Sequence, residues 1–110
     1  MGSRRSHAFD LSDLVSAHGD GHWAEFLNVE TLRAGIYRLP VDAIDPQQPH
    51  AEDEVYYVIE GRAVLRVEAE TMPVGPGSIV FVPAGMPHRF EQIDRDLLVL
   101  VFFFSGTPPP

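Results

Sequence analysis

An imidazole and a carboxylate, side chains of types that can bind metals, come just before a run of residues with high strand propensity. Side chains alternate between the two faces of a strand, so His50, Glu54 and Tyr56 are expected on one face. Imidazole and carboxylate groups bind divalent transition metals, and Gln48 has the same parity and would add an amide oxygen. The alternative interpretation of this segment is a solvated acidic turn ahead of an ordinary strand.

A second histidine follows another short apolar run and a turn rich in proline and glycine. The run 78–82 has the composition of a strand, and His88 opens the strand after the turn. Strand alternation places His88, Phe90 and Gln92 on one face. This second segment favours a site built from distant parts of the chain over a solvated acidic turn.

Together the two segments resemble the paired motifs of the cupin family. His50, Glu54 and Gly61 fall on the second histidine, the glutamate and the closing glycine of the first motif. The second motif is matched at four positions, which are Gly77, Pro83, Gly85 and His88. Three positions depart from the family pattern, because Gln48 replaces a histidine, Asp42 replaces a glycine and Gln92 replaces an asparagine.

The resemblance implies one divalent transition metal held by His50, Glu54 and His88. Two histidines and one carboxylate form a triad that suits Fe, and the same ligands accept Mn, Ni or Zn. Gln48 has three possible roles: it ligates weakly, hydrogen-bonds a metal-bound water or takes no part. Glu54 and Tyr56 are the candidate catalytic residues, with the Tyr56 phenol as acid or hydrogen-bond donor; the alternative for Tyr56 is core packing.

Length and composition narrow the functional classes. A chain of 110 residues forms one domain with a core of its own. It has no cysteine, which excludes thiol nucleophiles and disulfides, and all 8 basic residues are arginine, which excludes lysine Schiff-base chemistry. The formal charge of -8 argues against nucleic acid and anionic membranes as partners.

The order of short apolar segments predicts an all-β protein. Strands are expected at 23–27, 31–39, 54–59, 63–67, 78–82, from His88 to Gln92 and at 97–104, with turns at 60–61 and 68–73. This pattern and the cupin resemblance imply an antiparallel double-stranded β-helix, or jelly-roll barrel, with a short N-terminal helix over 10–19. We divide the chain into a tail with the helix at 1–22, the cupin barrel at 23–104 and a proline-rich tail at 105–110.

The run 97–104 is apolar on both faces, which indicates that both faces are covered. One face fills the barrel, and a second copy of the chain is the simplest cover for the other, so we expect a homodimer. The N-terminus lacks the apolar core of a secretory signal and no run is long enough to span a membrane, so we expect a cytoplasmic protein.

Other residues have two interpretations each. Four apolar residues would line a pocket for a small organic ligand or simply pack in the core; they are Phe81, Met86, Phe90 and Phe102. Arg38 would hold an anionic substrate group if it faced the cavity, but an arginine near a strand end more often points to water. His18 and His22 are interpreted as solvent-exposed loop histidines.

Two functions follow from these features. The first is a metal-dependent enzyme acting on a small oxygenated molecule, as a dioxygenase, isomerase or cyclase. The second is a non-catalytic protein that binds or senses a small molecule, with or without metal. The cupin family contains both classes, so the resemblance alone does not choose between them.

Overall fold

The computed structural model describes residues 5–47 and 49–104. One short helix, α1 (Leu11–Ser16), is followed by six strands, which are β1 (Trp23–Val29), β2 (Leu32–Leu39), β3 (Asp53–Val67), β4 (Glu70–Val74), β5 (Ile79–Val82) and β6 (His88–Phe104). The Asp10 carboxylate caps α1 by accepting from the backbone N–H groups of Ser12 and Asp13. This arrangement confirms the predicted all-β fold with a short N-terminal helix.

The two long strands, β3 and β6, connect two antiparallel layers. The first half of β3 lies between β5 and the second half of β6, which also pairs with β2, and β2 pairs with β1. The second half of β3 lies between β4 and the first half of β6. The buried core lies between the layers and includes Tyr56, Val58, Leu65, Phe90 and Val99.

The turn predicted at 60–61 is wrong, because β3 continues through it. The pairing of β3 with β6 changes register three times between Val58 and Val64, and Gly61 has a φ of 97°. A glycine at positive φ inside a strand marks a bulge, which bends the chain without reversing it. The segment 63–67 is therefore the continuation of β3 and not a neighbour of 54–59, although Ala63, Leu65 and Val67 are buried as expected.

Two further expectations fail for related reasons. Gln92 has a φ of 48° and lies where β6 carries extra residues opposite β3, so its side chain is exposed and Ile93 is buried instead. Gln92 therefore does not share a face with His88 and Phe90. The predicted turn 68–73 is shorter than expected, because Pro73 lies in β4 opposite Val64 and an edge strand tolerates proline.

One outer side of the barrel is apolar and uncovered in the single chain. It consists of Tyr57, Ile79, Phe81, Phe102 and Phe104, which we call the outer apolar face. Ile79 is 71% exposed and Phe81 is 59% exposed. The pocket interpretation of Phe81 and Phe102 is wrong, because strand parity directs both away from the interior. Core packing is also wrong for Phe81, which is exposed.

The N-terminal segment covers the outer side of β2. His18 is buried, and its Nε2 lies 3.1 Å from the carbonyl oxygen of Ile36 and 3.2 Å from that of His22. The expectation that His18 is exposed is wrong, because the segment after α1 folds back over β2. His22 is exposed as expected. Among the helical residues of the described chain, no run is long and apolar enough to span a membrane.

Candidate metal centre

Three side chains from distant parts of the sequence meet at one end of the barrel. His50 lies in the loop before β3, Glu54 is the second residue of β3 and His88 is the first residue of β6. One ligand atom from each lies within 4.8 Å of those of the other two. The Nε2 atoms of His50 and His88 lie 3.4 and 3.1 Å from separate oxygens of Glu54. Such a cluster has the donor set and size of a divalent metal site.

Three polar atoms of this cluster are buried and lack hydrogen bonds among the described residues. Glu54 is 1% exposed, and neither of its carboxylate oxygens has a hydrogen-bond partner among the described residues. The same holds for Nε2 of His88, because its approach to Glu54 has ion-pair distance without hydrogen-bond geometry. A buried carboxylate without hydrogen bonds is costly, so these atoms fit a bound cation better than they fit each other.

The turn before β6 fixes the orientation of His88. Its Nδ1 lies 2.8 Å from the carbonyl oxygen of Met86, so the Nδ1–H donates there and Nε2 is turned to Glu54. Burial lowers the pKa of His88, but the Glu54 carboxylate and the Met86 carbonyl outweigh burial and raise it overall. A metal ion bound at Nε2 therefore has to compete with a proton.

Two contacts hold His50 in place. Its carbonyl oxygen accepts a 2.7 Å hydrogen bond from the backbone N–H of Gly85, which ties the loop before β3 to the turn before β6. Its ring meets the Phe103 ring edge-on, with the centroids 4.9 Å apart. His50 is the most exposed of the three ligand candidates and connects the buried pair to a cavity.

Tyr56 lies two residues after Glu54, on the same face of β3. Its hydroxyl donates a 2.9 Å hydrogen bond to Oε1 of Gln47, and its ring centroid lies 6.0 Å from that of His88. Burial, followed by the charge of Glu54, raises the pKa of Tyr56 well above its usual value. The phenol therefore stays protonated at neutral pH, next to the cluster.

Sequence reasoning missed a buried network behind the cluster. The Asp45 carboxylate accepts from the Tyr37 hydroxyl, from the amide of Gln47 at 2.6 Å and from the backbone N–H of Phe90 at 2.8 Å. The backbone N–H of Gln47 also donates to Asp45, at 3.2 Å. An Asp-Pro pair in a loop favours this local turn and was the available signal, but strand periodicity does not detect it.

A cavity of about 570 Å³, which we call the chamber, opens beside His50. Its walls are His22, Trp23, Arg33, Tyr37, Pro46, Gln47, His50, Val101 and Phe103. Arg33 stacks over Phe103 at 4.5 Å and bonds both Glu52 and Glu25, which neutralise its charge. Arg38 instead lines a separate cavity of about 610 Å³ beside α1, away from the cluster. Of the two arginines on β2, Arg33 and not Arg38 lines the chamber. Gln48, the remaining predicted ligand, lies outside the described residues.

Comparison with known proteins identifies the family. The profile of the cupin domain matches residues 35–104. The chain belongs to the cupin family. This cupin is 45% identical over 104 residues to an uncharacterised protein of Streptomyces coelicolor, covering 93% of the chain and 96% of that protein.

Relatives with named activities match at lower identity. The cupin is 31% identical over 75 residues to the dimethylsulfoniopropionate lyase DddQ of Ruegeria pomeroyi, covering 67% of the chain and 37% of the lyase. It is 22% identical over 110 residues to the acireductone dioxygenase of Danio rerio, covering 96% of the chain and 54% of that enzyme. The crystal structure of DddQ superposes with a TM-score of 0.69 at 24% identity, covering 86% of the chain and 52% of DddQ. The chain thus spans only about half of these two enzymes or less, and the superposition shows a shared fold.

Proposed function

We propose that this cupin is a mononuclear-metal enzyme acting on a small oxygenated organic molecule. One divalent transition metal, Fe, Mn, Ni or Zn, would be held by His50, Glu54 and His88. The observation that carries the proposal is the convergence of three buried polar atoms without hydrogen bonds, both oxygens of Glu54 and Nε2 of His88, beside an accessible cavity. In a binding protein without metal, a buried carboxylate without hydrogen bonds would destabilise the fold.

The residues around the cluster have separate roles in this proposal. His50, Glu54 and His88 would hold a divalent ion, which would supply Lewis-acid polarisation of a substrate oxygen. Met86 orients His88, and the phenol of Tyr56 is a hydrogen-bonding group beside Glu54. The walls formed by Trp23 and Phe103 would enclose the apolar part of a small substrate.

The reaction type is proposed from the relatives' names. A dioxygenase, isomerase or cyclase reaction fits the cluster, and the similarity to an acireductone dioxygenase favours oxygen chemistry. The similarity to a dimethylsulfoniopropionate lyase adds elimination to the same list. A chamber of about 570 Å³ has the size of a site for a small organic molecule. The cytoplasmic location stays a prediction from the sequence.

An activity screen tests the proposal. Protein loaded with each metal is incubated with small diketones, phenols, keto acids and sulfonium acids, and oxygen uptake and product formation are followed. Turnover that needs metal and disappears in His88→Ala supports the enzyme. Metal-dependent ligand binding without turnover across the panel supports the non-catalytic binding protein instead.

Substitution of Gln48 by His is expected to tighten metal binding. The change restores the ligand that the cupin motif carries at this position, and a fourth protein ligand stabilises the bound ion. Isothermal titration with Zn or Mn compares Gln48→His with the wild type and with Gln48→Ala. Equal affinity in all three proteins would show that position 48 does not contact the metal.

We also propose that the outer apolar face forms a homodimer interface. A single chain rarely exposes a continuous apolar surface of this kind, and a second copy presents the same surface for isologous packing. Phe81→Glu is expected to convert a dimer to a monomer in sedimentation velocity, because it buries a charge in the interface. Ile44→Glu is the control, since Ile44 is exposed but lies in a loop outside that face. A wild-type monomer at micromolar concentration would refute this interface.

A further inference from the structure

The hydrogen bonds behind the metal centre have a fixed direction. An ionised carboxylate only accepts hydrogen bonds, so the Gln47 atom that lies 2.6 Å from Asp45 has to be its NH₂ group. Asp45 also accepts from Tyr37 and from the backbone N–H groups of Gln47 and Phe90, so it is the acceptor in each of these bonds. The other end of the Gln47 amide, its oxygen, therefore faces Tyr56.

The direction of these bonds determines where the Tyr56 proton points. A carbonyl oxygen cannot donate, so the Tyr56 hydroxyl donates its single proton to Gln47. Glu54 is the competing acceptor, because its carboxylate is near enough that, besides burial, its charge raises the pKa of Tyr56. The two oxygens of Glu54 nevertheless remain without hydrogen bonds among the described residues.

We propose that Gln47 is a positioning residue that keeps the Tyr56 proton away from Glu54, so that both carboxylate oxygens remain available to a divalent metal. The inference rests on the proposed metal site and assigns a role to Gln47 and, behind it, to Asp45. Without the Gln47 oxygen, the buried Tyr56 hydroxyl would have to find another acceptor, since an unpaired buried hydroxyl is costly. Glu54 is the near one, and a hydrogen bond to it would reduce the charge that it offers to the metal.

A double-mutant cycle on metal affinity tests this role. Gln47→Met keeps an unbranched side chain of similar length but removes both the carbonyl acceptor of the Tyr56 proton and the NH₂ donor to Asp45. We expect it to weaken Zn or Mn binding by about tenfold, the size of one hydrogen bond to a charged group. Tyr56→Phe alone should change affinity by less than about threefold, because its hydroxyl is not bonded to Glu54 in the wild type. Isothermal titration gives each affinity, and circular dichroism checks that each variant is folded.

The double variant, Gln47→Met with Tyr56→Phe, separates positioning from simple support of the loop. If Gln47 acts by holding the Tyr56 proton, removing the hydroxyl should restore affinity to within about threefold of the wild type. If the double variant stays as weak as Gln47→Met, Gln47 acts through loop structure and the inference is overturned. Equal affinity of Gln47→Met and the wild type also overturns it.

Two further outcomes separate this inference from the proposed function. A wild-type protein that binds no divalent metal would overturn both. A wild type that binds metal, with Tyr56→Phe binding severalfold tighter, would overturn the inference alone, because the hydroxyl would then already compete at Glu54. That comparison needs no substitution at Gln47 and so remains decisive if Gln47→Met does not fold.

Discussion

Glu54→Gln is expected to weaken divalent metal binding by at least about a hundredfold, more than the usual effect of a change outside the ligand set. Glutamine fills the same space but removes the only carboxylate of the cluster. The two histidines that remain are neutral ligands, so the site loses the charge that offsets removal of the ion from water. Titration of metal-free protein with Mn or Zn measures the effect.

The same substitution should act in opposite directions on the stability of the two forms. In the metal-free protein, at a pH high enough to leave His88 neutral, it removes a buried charge whose oxygens lack hydrogen bonds, so the melting temperature should stay equal or rise. In the presence of metal the wild type is stabilised by binding and the variant is not. Glu91→Gln is the matched control, because Glu91 pairs with Arg66 and Arg89 at the surface, where little effect is expected. A variant that loses stability in both forms would indicate a structural role for Glu54.

Gly61→Ala should strongly destabilise the barrel. The φ of Gly61 is 97°, and an added Cβ would lie 2.6 Å from Cα of Leu97 and closer still to the carbonyl oxygen of Asp96. Backbone strain and overpacking together should cost about 3 kcal/mol or more, which lowers the melting temperature by roughly 10 °C or more. Thermal unfolding of the metal-free proteins measures the difference.

Gly77→Ala separates strain from collision. Gly77 has a φ of 89°, similar to that of Gly61, but nothing lies within 4 Å of the position of its Cβ. Gly77→Ala should lower the free energy of unfolding by about 1–2 kcal/mol, from backbone strain alone. Equal losses in Gly61→Ala and Gly77→Ala would contradict the tight crossing of β3 and β6 at the bulge.

Much of the barrel was predictable because its signals are local. Alternating apolar residues mark the strands, and proline and glycine mark their ends, so β1, β2 and β5 appear within one or two residues of their expected bounds. The spacing of the cupin motifs also selected His50, Glu54 and His88, which the structure brings together. Interpreting Gly61 as a turn failed, because the same residue type also permits a bulge inside a strand.

The environment of the cluster was not predictable for a different reason. Asp45 and Gln47 lie in a loop without periodicity, and their importance comes from Tyr37, Tyr56 and Phe90, which only the folded barrel brings near. Arg33 lies in the chamber wall because it shares a face of β2 with Tyr37, and the imperfect alternation of residues 32–39 does not show which face points inward. Local patterns therefore predicted the ligand candidates but not the groups that orient them.

The most direct test of the account is the transition-metal content of protein purified without chelator or nickel resin. Elemental analysis should find close to one equivalent of a divalent transition metal in the wild type and less than about a tenth in Glu54→Gln, since the ligand set is lost. Less than a tenth of an equivalent in the wild type, unchanged by metal loading and equal to that in Glu54→Gln, would contradict a metal centre in this cupin.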